Sequence, residues 1–117
     1  MTQLAPPHIA TRTAYDGLIL PATGFGTYKL NGFEGIKAIV AALEVGYRLV
    51  DSAFNYENEG IVGRAVRESG VPREDIIVTS KLPGRHHGYD QARTTIEESV
   101  ARMGLDYIDL YLIHWPN

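Results

Sequence analysis

Apolar positions along this chain follow two alternating periods. Ile36, Ile39, Val40 and Leu43 fall at helical spacing, the signature of a helix with one face on a core. Asn31, with Glu34 three positions on, predicts a capped start, and Gly46 a left-handed stop. A short β pattern, YRLVD, follows and ends on Asp51. A second helical stripe, Ile61, Val62, Ala65 and Val66, opens at Asn58-Glu59 and closes near Gly70. Pro72 and REDI turn the chain into DIIVTSK, a near-continuous apolar run ending on Lys81 and suited to a buried parallel strand. A third helix is expected with Asp90 as its cap, Ala92, Ile96, Val100 and Met103 on its inner face, and Gly104 as its stop. The last strand, YIDLYLIH, ends on His114. Ahead of all this, HIATRTAYDGLIL predicts two short strands joined at Asp16-Gly17. ATGFGTY then reads as a short strand opening into a loop where something approaches the backbone closely.

In order, the elements are a hairpin and then β-α-β-α-β-α-β. Strands alternating with helices of this length imply right-handed βαβ units, a parallel sheet and an α/β fold. Such a run begins either a doubly wound sheet or a (β/α)8 barrel. The barrel fits better, because GFGTYKL holds only G-x-G and lacks the third glycine of a dinucleotide fingerprint. Composition adds exclusions. A net charge of −3 without a basic run beyond two residues leaves no nucleic-acid footprint. The absence of Cys removes disulfides and thiolate–metal sites. The apolar runs are too short to span a bilayer, and the N-terminus has no signal-peptide pattern, so a cytoplasmic location is the default expectation.

The strand ends concentrate the chemistry. Asp51, Lys81 and His114 close three strand patterns, and Tyr56 follows Asp51 by five positions. In a parallel sheet these ends share one mouth. A carboxylate, a phenol, an ammonium and an imidazole then converge on the face where barrel enzymes place their active sites. Singly, each has an ordinary reading: a turn cap, a packed loop aromatic, a rim lysine, a satisfied core histidine. As a set they read as an acid–base site. Other polar clusters carry less. His86-His87 looks like a metal pair, but neighbouring residues rarely present both rings to one ion, and a solvated loop fits better. Asp106 and Asp109 read as turn and rim charges, and Tyr107 and Tyr111 as packing groups.

Several stretches together resemble one family. GFGTY (24–28), DSAFNYENEGIVGRAV (51–66), VTSKL (78–82) and DLYLIHWP (109–116) occur in the order found in the N-terminal part of the aldo-keto reductases. The resemblance covers the chain from residue 9 onward. It implies a parallel (β/α)8 TIM-type barrel that reduces carbonyls with NADP(H), with the hairpin plugging the barrel's bottom. It assigns Tyr56 as proton donor, Asp51 and Lys81 as the groups that tune it, and His114 as the group that orients the carbonyl. Gly26, Thr27, Tyr28 and Asp51 would lie against the nicotinamide end of the cofactor. Tyr28, Phe54, Trp115 and His114 would line the substrate mouth, with Pro83 where family members often carry an aromatic residue. The chemistry is coherent. A developing alkoxide needs a proton, an ammonium beside a phenol favours its ionised form, a neutral imidazole can hold a carbonyl oxygen, and hydride must come from a cofactor.

A barrel of this class needs about 250 residues. The resemblance therefore makes residues 1–117 the N-terminal half of one: a hairpin, about four strands and three helices. In the family, most groups that grip the rest of the cofactor belong to the second half. Two functions follow. The chain is half of an NADP(H)-dependent reductase of aldehydes and ketones, inactive by itself. Alternatively it is a non-catalytic half-barrel or cofactor-binding regulatory subunit on the same fold. The expected partners are a small carbonyl substrate and, at the sheet edges, a second copy or a C-terminal half. No nucleic acid, membrane or metal is expected.

Overall fold

The structure, a computed structural model, describes residues 9–116; His8, at the head of the expected hairpin, lies outside them. Strands β1 (Thr11–Thr13) and β2 (Ile19–Pro21) pair antiparallel, Thr11 opposite Pro21. Their turn is closed by Gly17 N–H on Ala14 O at 2.9 Å, and the Asp16 carboxylate accepts Leu18 N–H at 3.0 Å. Gly17 takes φ +91°, a conformation the turn needs and a side chain resists. All three β1 residues are exposed.

The rest alternates as the pattern implies: β3 (Phe25–Gly26), α1 (Gly32–Glu44), β4 (Leu49–Asp51), α2 (Glu59–Glu68), β5 (Ile77–Leu82), α3 (Tyr89–Met103) and β6 (Leu110–Ile113). The four later strands form one parallel sheet in the order β3-β4-β5-β6. Strand alternation divides it into two faces. Val78, Ser80 and Leu82 are buried on the helix side. Ile77, Thr79 and Lys81 point to the other face. There the register sets Leu49 beside Ile77, Asp51 beside Thr79, and Lys81 beside Leu112.

The core lies between the helices and the outer face of the sheet: Ile36, Ile39 and Leu43 of α1, Val62, Ala65 and Val66 of α2, Val50 and Val78 of the strands, with Ile76 and Met103. Each fully buried Ile, Leu or Val contributes about 1.5–3 kcal/mol, against a net 0.5–1.5 kcal/mol or so for a hydrogen bond. This apolar layer, more than the ladders, therefore holds the strand ends in place. Helices α2 and α3 meet at Gly63, where a Cβ would fall 2.0 Å from Met103 O. Among the described residues no helix is long and apolar enough to cross a membrane.

Three local expectations give way. Asn31 stands at the N-cap of α1, but its side chain makes no capping bond. Asp90 lies inside the first turn of α3, whose N-cap is Gly88. The buried face of α3 is Thr95, Ser99 and Met103, while Ile96 is exposed. The hydroxyls tolerate burial because each is satisfied. Thr95 Oγ1 donates to Gln91 O at 2.8 Å, and Ser99 Oγ meets the Tyr111 hydroxyl at 3.0 Å.

Candidate active site

Parallel pairing brings three chemically distinct side chains to one end of the sheet. Asp51 is the last residue of β4, Lys81 the penultimate residue of β5, and His114 the first residue after β6. Tyr56 ends a 3-10 turn, Phe54–Tyr56, that Glu57 closes with a left-handed φ of +56°. Lys81 Nζ lies 2.7 Å from Asp51 Oδ2, 2.9 Å from Ser52 O and 3.3 Å from the Tyr56 hydroxyl oxygen. An ammonium has three hydrogens and no lone pair, so these acceptors exhaust it. Both oxygens of Asp51 are engaged, since Oδ1 accepts the Thr79 hydroxyl.

One consequence concerns Tyr56. Its oxygen already accepts from Lys81, which leaves its own hydrogen uncommitted. His114 stands edge-on to the Tyr56 ring, with centroids 5.8 Å apart and an interplanar angle of 82°. His114 Nδ1 is buried without a partner. A buried N–H without an acceptor is rarer than a bare lone pair, so the imidazole proton belongs on Nε2. The site thus offers two free donors, the Tyr56 hydroxyl and His114 Nε2–H.

The mouth is aromatic. Tyr28 packs on Tyr56 at 5.1 Å, and Trp115 stacks on His114 at 5.4 Å with planes 9° apart. Phe54 is not joined to this chain of rings. It packs between the His86 ring at 5.6 Å and the Arg102 guanidinium at 5.4 Å. Gly26 is exposed, and a Cβ there would meet nothing within 4 Å. Thr27 is fully buried, with N–H and hydroxyl both on Asp51 O at 3.1 and 2.8 Å.

Several residues of the site were not singled out for it by the sequence pattern. Asn58, buried at the N-cap of α2, turns its carboxamide away from the helix. Its Nδ2 donates to Thr27 O at 2.7 Å and Leu30 O at 3.1 Å, and its Oδ1 accepts Ser52 Oγ–H at 2.7 Å. The loop carrying Tyr28 is thereby tied to the loop carrying Tyr56. Behind them Glu59, 1% exposed, pairs with Arg102 at 2.6 Å and accepts Ser80 Oγ–H at 2.6 Å. Thr79 could have been found, since it lies two residues before Lys81 on one strand face. Asn58 and Glu59 read in the sequence only as a helix start.

The family follows from comparison with known proteins. The family model "Aldo/keto reductase family" matches residues 22–117. The chain belongs to the aldo/keto reductase family. It is 56% identical over 111 residues to 2,5-diketo-D-gluconic acid reductase B of a Corynebacterium species, covering 95% of this chain and 40% of that protein. It is 46% identical over 101 residues to morphine 6-dehydrogenase of Pseudomonas putida, covering 86% and 34%. Among solved structures, an aldo/keto reductase from Brucella melitensis superposes with a TM-score of 0.89 at 39% identity, over 93% of this chain and 43% of that one. The chain therefore spans about two fifths of the length of these relatives, and its fold is the N-terminal half of their (β/α)8 barrel.

Proposed function

We propose that this chain carries the acid–base half of an NADPH-dependent carbonyl reductase acting on aldehydes and ketones. The observation that carries the reading is the saturation of Lys81, which leaves the Tyr56 hydrogen free for a substrate oxygen. His114 Nε2–H is the second donor, and together they can hold a carbonyl oxygen from two sides. As the Tyr56 proton leaves, negative charge gathers on an oxygen 3.3 Å from an ammonium. Asp51 and Ser52 O keep that ammonium from turning away. The names of the diketo-acid reductase and the morphine dehydrogenase support a carbonyl–alcohol redox reaction.

The residues present fit a nicotinamide. Gly26 leaves a floor without a side chain beside the β4 end, and the exposed Tyr28 ring gives a flat wall next to Tyr56. Gly26, Tyr28 and the Asp51 end of β4 would hold that ring, with Thr27 bracing the loop from beneath. The cofactor supplies the hydride that no side chain can. Tyr28, His114 and Trp115 would flank the substrate, and Phe54 would stiffen the Tyr56 turn from behind. The unpaired edges of β3 and β6 would take the remaining strands of the barrel, from the same or another chain.

The test is NADPH oxidation with a simple aldehyde by the protein that carries this chain, before and after Tyr56→Phe. General acid catalysis contributes about 10²- to 10⁴-fold. The variant should lose that much while NADPH still quenches Trp115 fluorescence. Turnover within a few-fold of wild type would place the acid elsewhere.

A further inference from the structure

We infer that the groove beside Trp115 is a carboxylate subsite, with Arg85 as the residue that selects oxo acids over neutral carbonyls. The inference rests on the reductase reading of the adjoining site. Gly84, Arg85, Trp115 and Pro116 line an open groove of about 320 Å³ on the loop after β5 and the segment after β6. No acidic side chain lines it. Trp115 forms its wall and stacks on His114, so the groove begins one aromatic ring away from the proposed carbonyl site.

Two observations set Arg85 apart from an ordinary surface arginine. Arg85 forms no ion pair among the described residues, as Arg12, Arg48 and Arg67 form none, but of these four it alone lines the groove beside Trp115. Its backbone also takes φ +70°, the left-handed region that a residue with a Cβ resists. Gly84, which would adopt such a conformation freely, stands directly before it at the groove. Strain of this kind is retained where the surroundings over-determine it, often at ligand clamps. An unneutralised guanidinium over an indole-walled groove is suited to a carboxylate, which it can meet with two parallel N–H bonds.

Geometry also limits the length of the acid. The ring-to-ring spacing of His114 and Trp115 is 5.4 Å. That exceeds the roughly 1.5 Å of the one bond joining the carbonyl and carboxyl carbons of an α-oxo acid. This favours oxo acids with distal carboxylates over α-oxo acids.

Trp115 is the chain's single tryptophan, so its fluorescence reports the groove without catalysis. The probes are 6-hydroxyhexanoate and 6-hydroxyhexanamide, titrated with NADPH present and absent. The carboxylate should saturate the signal at a concentration about tenfold or more below the amide, the size of one charge-assisted hydrogen bond at a half-exposed site. Arg85→Gln should erase that preference, Arg85→Lys should keep part of it, and added salt should weaken it. Equal titration by both probes, no saturable response to the carboxylate, or a preference that survives Arg85→Gln would overturn the assignment. Turnover of 6-oxohexanoate against hexanal, measured alongside, reports the reductase reading separately. Selective binding without turnover by the full-length protein that carries this chain would refute that reading and leave the subsite standing.

Discussion

Lys81 is the residue on which the site depends most, because each of its three hydrogens has a different task. Lys81→Met should keep the stem's packing and remove the charge. Asp51 then retains only Thr79 as a donor, and charge forming on the Tyr56 oxygen has no counterpart. Reductase turnover should fall by about 10²- to 10⁴-fold, as for loss of the acid itself; steady-state kinetics with a small aldehyde would show a mere few-fold loss if the ammonium were incidental. Asn58 acts on the same group at one remove, through Ser52. Asn58→Ala would strand Leu30 O and the Ser52 hydroxyl and leave Thr27 O with Leu30 N–H as its donor. At about 1–3 kcal/mol for an unmet buried group, a loss of about 3 kcal/mol in urea-unfolding stability is expected, and an unchanged midpoint would show that water replaces the carboxamide. The two residues differ in how far the sequence reveals them. A lysine closing an apolar strand is conspicuous, as is an aspartate closing the strand beside it. An asparagine ahead of a helix looks like a cap, and only the fold shows that its carboxamide serves three loop groups instead.

At the scale of elements, the alternation of β and α was legible because two periods, near two and near 3.6, follow each other along the chain. Which face of α3 is buried was not. Thr95 and Ser99 look polar in a pattern, yet their hydroxyls are spent on Gln91 O and on Tyr111, so the helix lies on the sheet through them. That contact has a pH signature. Burial, ahead of all other causes, raises the Tyr111 phenol above its ordinary value, with nearby Glu59 adding to the effect and Ser99 and Arg102 opposing it. The folded state thus holds this proton more tightly than the unfolded state. The associated stability is fully present below the unfolded pKa of about 10, and it is lost as pH rises through the folded value. Wild type should therefore keep its advantage over Tyr111→Phe in urea up to about pH 10 and lose it as pH rises further. A difference that stays constant over that range would mean the phenol is hydrated in the folded protein. The α2–α3 crossing makes a second demand that the pattern hides. Gly63 looks like one more small helical residue, but its missing Cβ is the space occupied by the Met103 backbone. Backbone cannot step aside as a flexible side chain can. Gly63→Ala should cost about 3 kcal/mol or more, the upper end of overpacking, and a thermal midpoint near wild type would show that α3 shifts freely.

For the whole molecule, the order of strands and the common mouth of Asp51, Lys81 and His114 follow from the rule that βαβ units wind one way. What the order of elements does not reveal is how open the sheet is. Only its outer face is covered by helices. On the other face Leu49, Ile77 and Leu110 are half-buried, and Leu112 is 41% exposed. Strands β3 and β6 are both edges, and Ile113 and Trp115 at the β6 end are 64% and 58% exposed. An unpaired edge with exposed apolar neighbours invites pairing with another chain. Even a few hundred Å² of apolar surface left in water forfeits several kcal/mol at about 25 cal/mol per Å², comparable with the roughly 5–15 kcal/mol stability of a typical domain. A polypeptide of these 117 residues alone is therefore expected to self-associate through its sheet edges and to show no NADPH-dependent turnover, because one face of the proposed cofactor and substrate site is open. Supplying the complementary half of a relative's barrel should reverse both properties together, since the same strands close the sheet and the site. Light scattering and aldehyde reduction on the two preparations would check this. A monodisperse monomer with cooperative unfolding, or turnover by the short polypeptide, would show that the open face is stable without its second half.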